Sequence, residues 1–306
     1  MKANALRWCM AVLMLLAISF LLPSHGLAEE FPAMNQPGKP LIKSGWISET
    51  EYQDDTIHAT LTNSTHKAKS SATKVTTHWI RIKISDPSQL RTTFSNNSYD
   101  DPTLARAKNM IKGLNAVVAL NDDFAKYEYN TGYIARQGVE YRNAPDGSRD
   151  VLIIDNKGDF SYVMDATAES VNAKKEALQA EGRSVMHAFC FGPVLVADGE
   201  EVPIDFNVKK FSRVESHYAC QRIAICQLGE LEYGILEVDG GDGSGINLRE
   251  MATYIKAVFP ECTVAYNLDG GGSTNLFFAE KAVHKATRNH RAISGLIYFV
   301  SDTAGE

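Results

Sequence analysis

A carboxylate followed by three glycines is the most pointed chemical feature of the chain: Asn267-Leu268-Asp269-Gly270-Gly271-Gly272-Ser273-Thr274, inside the stretch from Thr263 to Phe278. Val264, Tyr266 and Leu268 alternate with smaller or polar residues as a strand does, the glycines end it, and Asn275 to Phe278 begin a second extended run. Asp269 is therefore expected at a strand end, beside a loop whose backbone N–H groups can approach a ligand closely and form an anion-binding nest. The plain alternative is a tight turn with a solvated aspartate.

Two further aspartates sit in comparable places. Leu231 to Val238 reads as a buried strand ending in Asp239, followed by the glycine-rich loop Gly240 to Gly245. Asn247 and Glu250 are spaced as a capping box, and Leu248, Met251, Ile255 and Val258 share one helical face as far as Pro260. Strand, helix and strand make a βαβ unit with parallel strands, which brings Asp239 and Asp269 to one sheet edge, where ligands of open α/β sheets gather. Val118 to Asp123 echoes Val264 to Asp269 at Val, Ala, Asn and Asp, and a helical segment, Pro102 to Lys112, precedes it as Leu248 to Phe259 precedes the other. The echo predicts two related units that bring Asn121 with Asp123 and Asn267 with Asp269 to a common centre. The fold expected is α+β, a mixed β-sheet core carrying two βαβ-like units related by internal duplication.

Arg222 stands in the apolar run Cys220 to Gln227. A guanidinium on a buried strand needs either a structural partner or an anionic ligand. Arg291, next to His290 and before the closing strand from Ile293, is a second candidate for an anion or a hydroxyl. His187, His217 and His290 are lone histidines, a pattern more often structural than catalytic.

Stepping outward from these residues, Lys2 and Arg7 lead into an apolar run from Trp8 to Leu22 and a small-residue pattern at Gly26-Leu27-Ala28, as in a secretory signal peptide cleaved after Ala28. The expected organisation is a signal peptide over 1–28, a flexible leader with edge strands or loops over 29–73, and one domain over 74–306, secreted and free of the membrane after cleavage. The 306 residues carry a net charge of −6 with no Lys/Arg-rich run, which argues against nucleic acid as a partner. Beyond the leader lie Cys190, Cys220, Cys226 and Cys262; a strand would hold Cys220 and Cys226 too far apart to bridge one another. No Cys or His spacing matches a zinc site, and no cofactor or metal is expected. Oxygen ligation of a divalent cation by Asp123, Asp239 and Asp269 is the minor alternative.

Several of these segments, in order, resemble the phosphodiester glycosidase family. The likeness runs from about Trp79 to the C-terminus and is most specific at Asn267 to Thr274. Asn121-Asp122-Asp123-Phe124 is similar to the family's Asn-Gly-Asp-Phe, Phe191-Gly192-Pro193 to its Phe-Gly-Pro, Arg222 to Ile225 to its Arg-Thr-Ala-Ile, and Val238-Asp239-Gly240 to its Val-Asp-Gly. The chain departs at Asp122, where the family has glycine, and at Ala125, Gly241 and Cys226. The bacterial, exopolysaccharide-associated members are the nearer likeness. The resemblance implies hydrolysis of the bond between an anomeric carbon and a phosphodiester oxygen, with a carbohydrate or sugar phosphate as partner. It implies Asp269 as nucleophile or base with Asp123 as its partner and Asp239 third. It also implies Arg222 as a phosphate clamp helped by the backbone of Gly270, Gly271 and Gly272, with Asn121, Asn267, Ser273, Thr274 and Arg291 as further contacts. A glycan-binding or assembly protein that kept the cleft without turnover is the alternative from another class.

Overall fold

The computed structural model describes residues 31–126, 131–207, 217–241, 244–284 and 291–303. The expected signal peptide, its cleavage point at Ala28 and His290 lie outside them.

Strands dominate and form three sheets. The largest has nine strands, centred on Lys74–Ile84, Glu232–Val238, Arg222–Gly229, Val264–Asn267 and Val194–Ala197 in that spatial order. A five-stranded sheet is built on Val151–Asp155, Val185–Phe189 and Gly132–Arg136, and another on Leu276–Phe278, Ala116–Asn121, Gly295–Val300 and Leu90–Phe94. Apolar residues from all three, among them Ile80, Leu120, Ile154, Ile225, Tyr266 and Phe299, meet in one core.

The expected single mixed sheet is corrected: every named ladder joins antiparallel neighbours. The βαβ unit nevertheless keeps its sense. Glu232–Val238 and Val264–Asn267 are each antiparallel to Arg222–Gly229, which lies between them, so they run parallel to one another. The crossover helix returns the chain two strand spacings away, roughly 10 Å, and the Arg222 strand fills the slot. The echo unit has the same layout, with Leu90–Phe94 and Ala116–Asn121 flanking Gly295–Val300.

The crossover helix, Leu248–Val258, forms because Asn247 caps the Glu250 N–H at 2.9 Å and because Leu248, Met251, Ala252 and Ile255 bury one face against the large sheet. The capping box is half made. The Glu250 carboxylate turns instead to the N–H groups of Lys69 and Ser70, tying down the turn before Lys74–Ile84. In the echo unit the helix shrinks to one turn, Ala107–Met110, because Ala105 commits its N–H and C=O to Ile293 in a β-bridge. Within the expected leader, Trp46–Ser48, Glu51–Gln53 and Ile57–Lys67 are strands of the large sheet. The last pairs with Lys74–Ile84 along its whole length, and its polar residues occupy an exposed face. Among the described residues no disulfide forms, and Cys190, Cys226 and Cys262 are buried.

Candidate active site

Asp269 emerges where Val264–Asn267 ends and is 8% exposed. A 3-10 turn over Gly271–Ser273 follows it. That turn presents the Ser273 hydroxyl to the Asp269 carboxylate, and Ser273 in turn accepts from Arg291 Nε at 2.7 Å. Arg291 Nη2 stands 3.5 Å from Asp269 Oδ1, on a side chain that is 52% exposed. The Asp269 carboxyl is pushed above its ordinary value by burial. Ser273 and Arg291 pull it down, and the negative charge of Asp123 pushes it up again.

Asp123 thus lies within electrostatic reach of Asp269, as the two-unit reading expects. Its own oxygens are committed: Oδ1 accepts from Arg136 Nη2 at 3.0 Å and from the Ala125 N–H at 3.1 Å, and Oδ2 from the Cys190 N–H at 2.8 Å. Asp269 is held more loosely, by the Ser273 hydroxyl and a 3.5 Å arginine contact.

Asn121 and Asn267 hold the frame. Asn121 Nδ2 donates to the Asp269 carbonyl at 2.7 Å while its Oδ1 accepts the Asn275 N–H at 2.9 Å, so the echo unit is fastened across the glycine loop. Asn267 Nδ2 donates to the Gly192 carbonyl at 2.7 Å and sets the Phe191-Gly192-Pro193 turn. Both asparagines are buried, and these bonds fasten the fold.

The glycine loop is only partly available as a nest. Gly271 donates its N–H to the Gln221 carbonyl at 2.8 Å, and Ser273 and Thr274 donate theirs back to Gly270 and Gly271. Close packing explains Gly270, where an added Cβ would stand 2.8 Å from the Gln221 carbonyl. Thr274 is fully buried, so its hydroxyl points into the protein.

Arg222, 2% exposed, donates to the carbonyls of Ile246 at 3.3 Å and Tyr218 at 3.0 Å, bracing the segments that flank the large sheet's edge. Asp239 is separated from Asp269 by the Arg222 strand. Its carboxylate faces His78, 3.4 Å away, and gathers with Glu237. Asp239 thus gathers with His78 and Glu237, while Asp123 acts electrostatically on Asp269. His187 is fully buried with its ring pKa pushed down to about 3, by burial first and then by Arg136, and bonds Leu90 and Gln137. His217 packs against Tyr218 and Phe206.

The sequence reading missed two arginines. Arg136, with no exposed surface, reaches Asp122 and Asp123 and stacks 4.1 Å from the Phe189 ring. Arg149 lies 4.4 Å over Phe124 and also over Phe191, and its charge acts on Asp269. A guanidinium on the buried strand Gly132–Arg136 was a signal of the same kind as Arg222. Phe124 and Phe191 meet edge to face at 4.9 Å and are half-buried, giving the site an aromatic wall. Asp122 is held beside Arg136, its carboxyl pushed well up by burial and by Asp123.

Residues 114–300 match the family model described as phosphodiester glycosidase. The chain belongs to the phosphodiester glycosidase family. Among solved structures it is similar to the zebrafish N-acetylglucosamine-1-phosphodiester alpha-N-acetylglucosaminidase catalytic domain auto-inhibited by its pro-peptide, at 16% identity and a TM-score of 0.63, over 81% of this chain and 84% of that one. It is also similar to a hypothetical protein from Synechocystis, at 15% identity and a TM-score of 0.56, over 80% of this chain and 62% of the other. At such identities the likeness is one of fold. No curated protein matches. In this phosphodiester glycosidase family member the matched segment holds Asp123, Arg136, Arg149, Arg222, Asp239, Asp269 and Arg291, whereas Asn63 and His78 precede it.

Proposed function

We propose that the chain is an exported glycoside hydrolase that cleaves the anomeric C–O bond of a sugar phosphodiester or a related envelope or exopolysaccharide linkage. The observation that carries this reading is the Asp269–Arg291 contact on the family's most specific loop, with Asp123 in electrostatic reach. Export rests on the apolar run and Gly26-Leu27-Ala28 at the N-terminus.

The reaction develops positive charge at the anomeric carbon and negative charge on the departing phosphate oxygen. Asp269 serves the first, as nucleophile or as the base that takes a proton from water, and its field stabilises the oxocarbenium-like transition state. Arg291 serves the second: its guanidinium is exposed on the open side of Asp269 and matches a phosphate in geometry. The anomeric carbon–oxygen bond breaks, the phosphate keeps that oxygen, and water supplies the new hydroxyl. Phosphate is a weak base, so a fixed cation can replace strong acid assistance. Phe124 and Phe191 offer a surface for the sugar ring. Arg222 braces the Tyr218 and Ile246 segments through their carbonyls.

The test is hydrolysis of a chromogenic glycosyl phosphodiester beside an aryl glycoside carrying the same sugar. Faster release from the phosphodiester, abolished in Asp269→Asn, supports the reading; binding without release across a panel of sugars, unaltered by that substitution, refutes it.

A further inference from the structure

A cluster of titratable side chains on the large sheet stands apart from the Asp269 site. Asn63, His78 and Glu237 occupy directly opposed positions on three neighbouring strands, and Asp239 follows two residues after Glu237, on the same face. One ligand atom each from His78, Glu237 and Asp239 falls within 4.8 Å of the others. We propose that these three side chains bind one divalent transition-metal ion of the Zn2+ type.

The orientation of each group favours this. His78 Nδ1 is 2.6 Å from Asn63 Oδ1, an oxygen that only accepts, so the ring carries its proton on Nδ1 and turns the Nε2 lone pair toward the carboxylates. Gln221 Nε2 donates to Glu237 Oε1 at 2.8 Å and so fixes the carboxylate, leaving Oε2 directed at the cluster. Glu237 has no exposed surface, and its Oε2 has no hydrogen-bond partner. A buried, unpartnered carboxylate oxygen is costly, and a cation removes that cost.

The distances suit ligands of one ion. His78 Nε2 stands 3.4 Å from Asp239 Oδ2 and 3.9 Å from Glu237 Oε2. A charged imidazolium bonded to carboxylate would close to about 2.7–2.9 Å. Nitrogen and oxygen ligands on a tetrahedral zinc, each about 2.1 Å from it, stand roughly 3.4 Å apart. One imidazole with two carboxylates suits a first-row transition metal rather than Ca2+ or Mg2+, which take oxygen alone. The Asp239 side chain, 17% exposed, gives a route in and room for a water ligand. The site is tied to the Asp269 loop through Gln221, whose side chain holds Glu237 and whose carbonyl holds the Gly271 N–H.

The test reads metal binding, not turnover, and so stands or falls apart from the proposed hydrolysis. The metal-stripped chain is titrated with Zn2+, with Mn2+ and Ca2+ as comparison arms, and its Tm is followed. The expected result is one tight equivalent of Zn2+, with a Tm rise of about 5 °C at roughly one hundred times Kd. X-ray absorption should show one imidazole nitrogen, with oxygen completing the shell. His78→Ala and Glu237→Gln should each lose that equivalent, and Asn63→Ala should weaken it about 10- to 100-fold. The proposal is overturned if the folded wild-type chain takes up neither Zn2+ nor Mn2+, if uptake is unchanged in the His78 and Glu237 variants, or if Ca2+ binds as tightly as Zn2+.

Discussion

Asn121 donates its side-chain N–H to the main-chain carbonyl of Asp269 at 2.7 Å, joining the end of one strand unit to the glycine-rich loop of the other. The same amide accepts the Asn275 N–H, so one buried side chain closes both ends of the loop that holds Asp269.

Asn121→Ala should therefore cost stability as well as activity. It strands the Asp269 carbonyl and the Asn275 N–H in the interior, at about 1–3 kcal/mol for each unsatisfied group. Urea unfolding should show a lower midpoint at unchanged slope. A loss under about 1 kcal/mol would mean that water or a rearranged loop replaces the staple.

Asp269→Asn should keep the fold and lower kcat on a glycosyl phosphodiester by about 10³-fold, within the range of lost acid–base catalysis. Substrate affinity should change little, since the amide keeps the Ser273 contact. A variant with near-native kcat would remove Asp269 from the reaction.

Arg291→Gln should shift the acidic limb of the kcat/KM profile. The Asp269 carboxyl is already above its ordinary value through burial, and Arg291 lowers it. Losing that cation raises the folded pKa further, so a higher pH is needed to ionise Asp269 and the limb moves alkaline. The same variant should lose more on a phosphodiester than on a neutral aryl glycoside, by about 10-fold, the value of one charge-assisted hydrogen bond. An unmoved limb with equal losses on both substrates would leave Arg291 as a surface residue.

Arg136→Met should destabilise the protein by about 3–5 kcal/mol, because it leaves Asp122 and Asp123 buried without their shared cation. Adding Asp122→Asn should recover part of that loss, since it removes a buried carboxyl that crowds Asp123. Strictly additive effects in the double-mutant cycle would show that the two side chains do not act through one another.

Glu237→Gln, metal-free, should be more stable than the metal-free native chain at neutral pH. Burial and then Asp239 raise the Glu237 carboxyl well above 4.5, so the folded state holds that proton more tightly than the unfolded one. This contributes stability below pH 4.5 that is lost as pH rises through the folded pKa. The advantage of glutamine should accordingly shrink on acidification, and thermal melts between pH 4 and 8 would show a constant gap if Glu237 were instead compensated.

The local parts were legible in the chain alone: a strand ending in Asp269, a glycine-rich loop after it, an amphipathic crossover helix, and an echo segment ending in Asn121 and Asp123. Those are properties of neighbouring residues, set by side-chain alternation and by steric room. Only the tertiary structure decided the company each charge keeps. Period-two alternation tells which face a residue takes, yet it does not tell which distant strand lies beside it. Asp239 was legible as a strand-end carboxylate, but its partner was fixed by the pairing of Lys74–Ile84 with Glu232–Val238, which lays His78 against Glu237. Arg222 was legible as a buried cation in need of acceptors, and the carbonyls of Ile246 and Tyr218 are among them. Arg136 ends a strand of one sheet and Asp122 and Asp123 follow a strand of another, so their pairing came from the tertiary fold, where a buried charge needs its opposite.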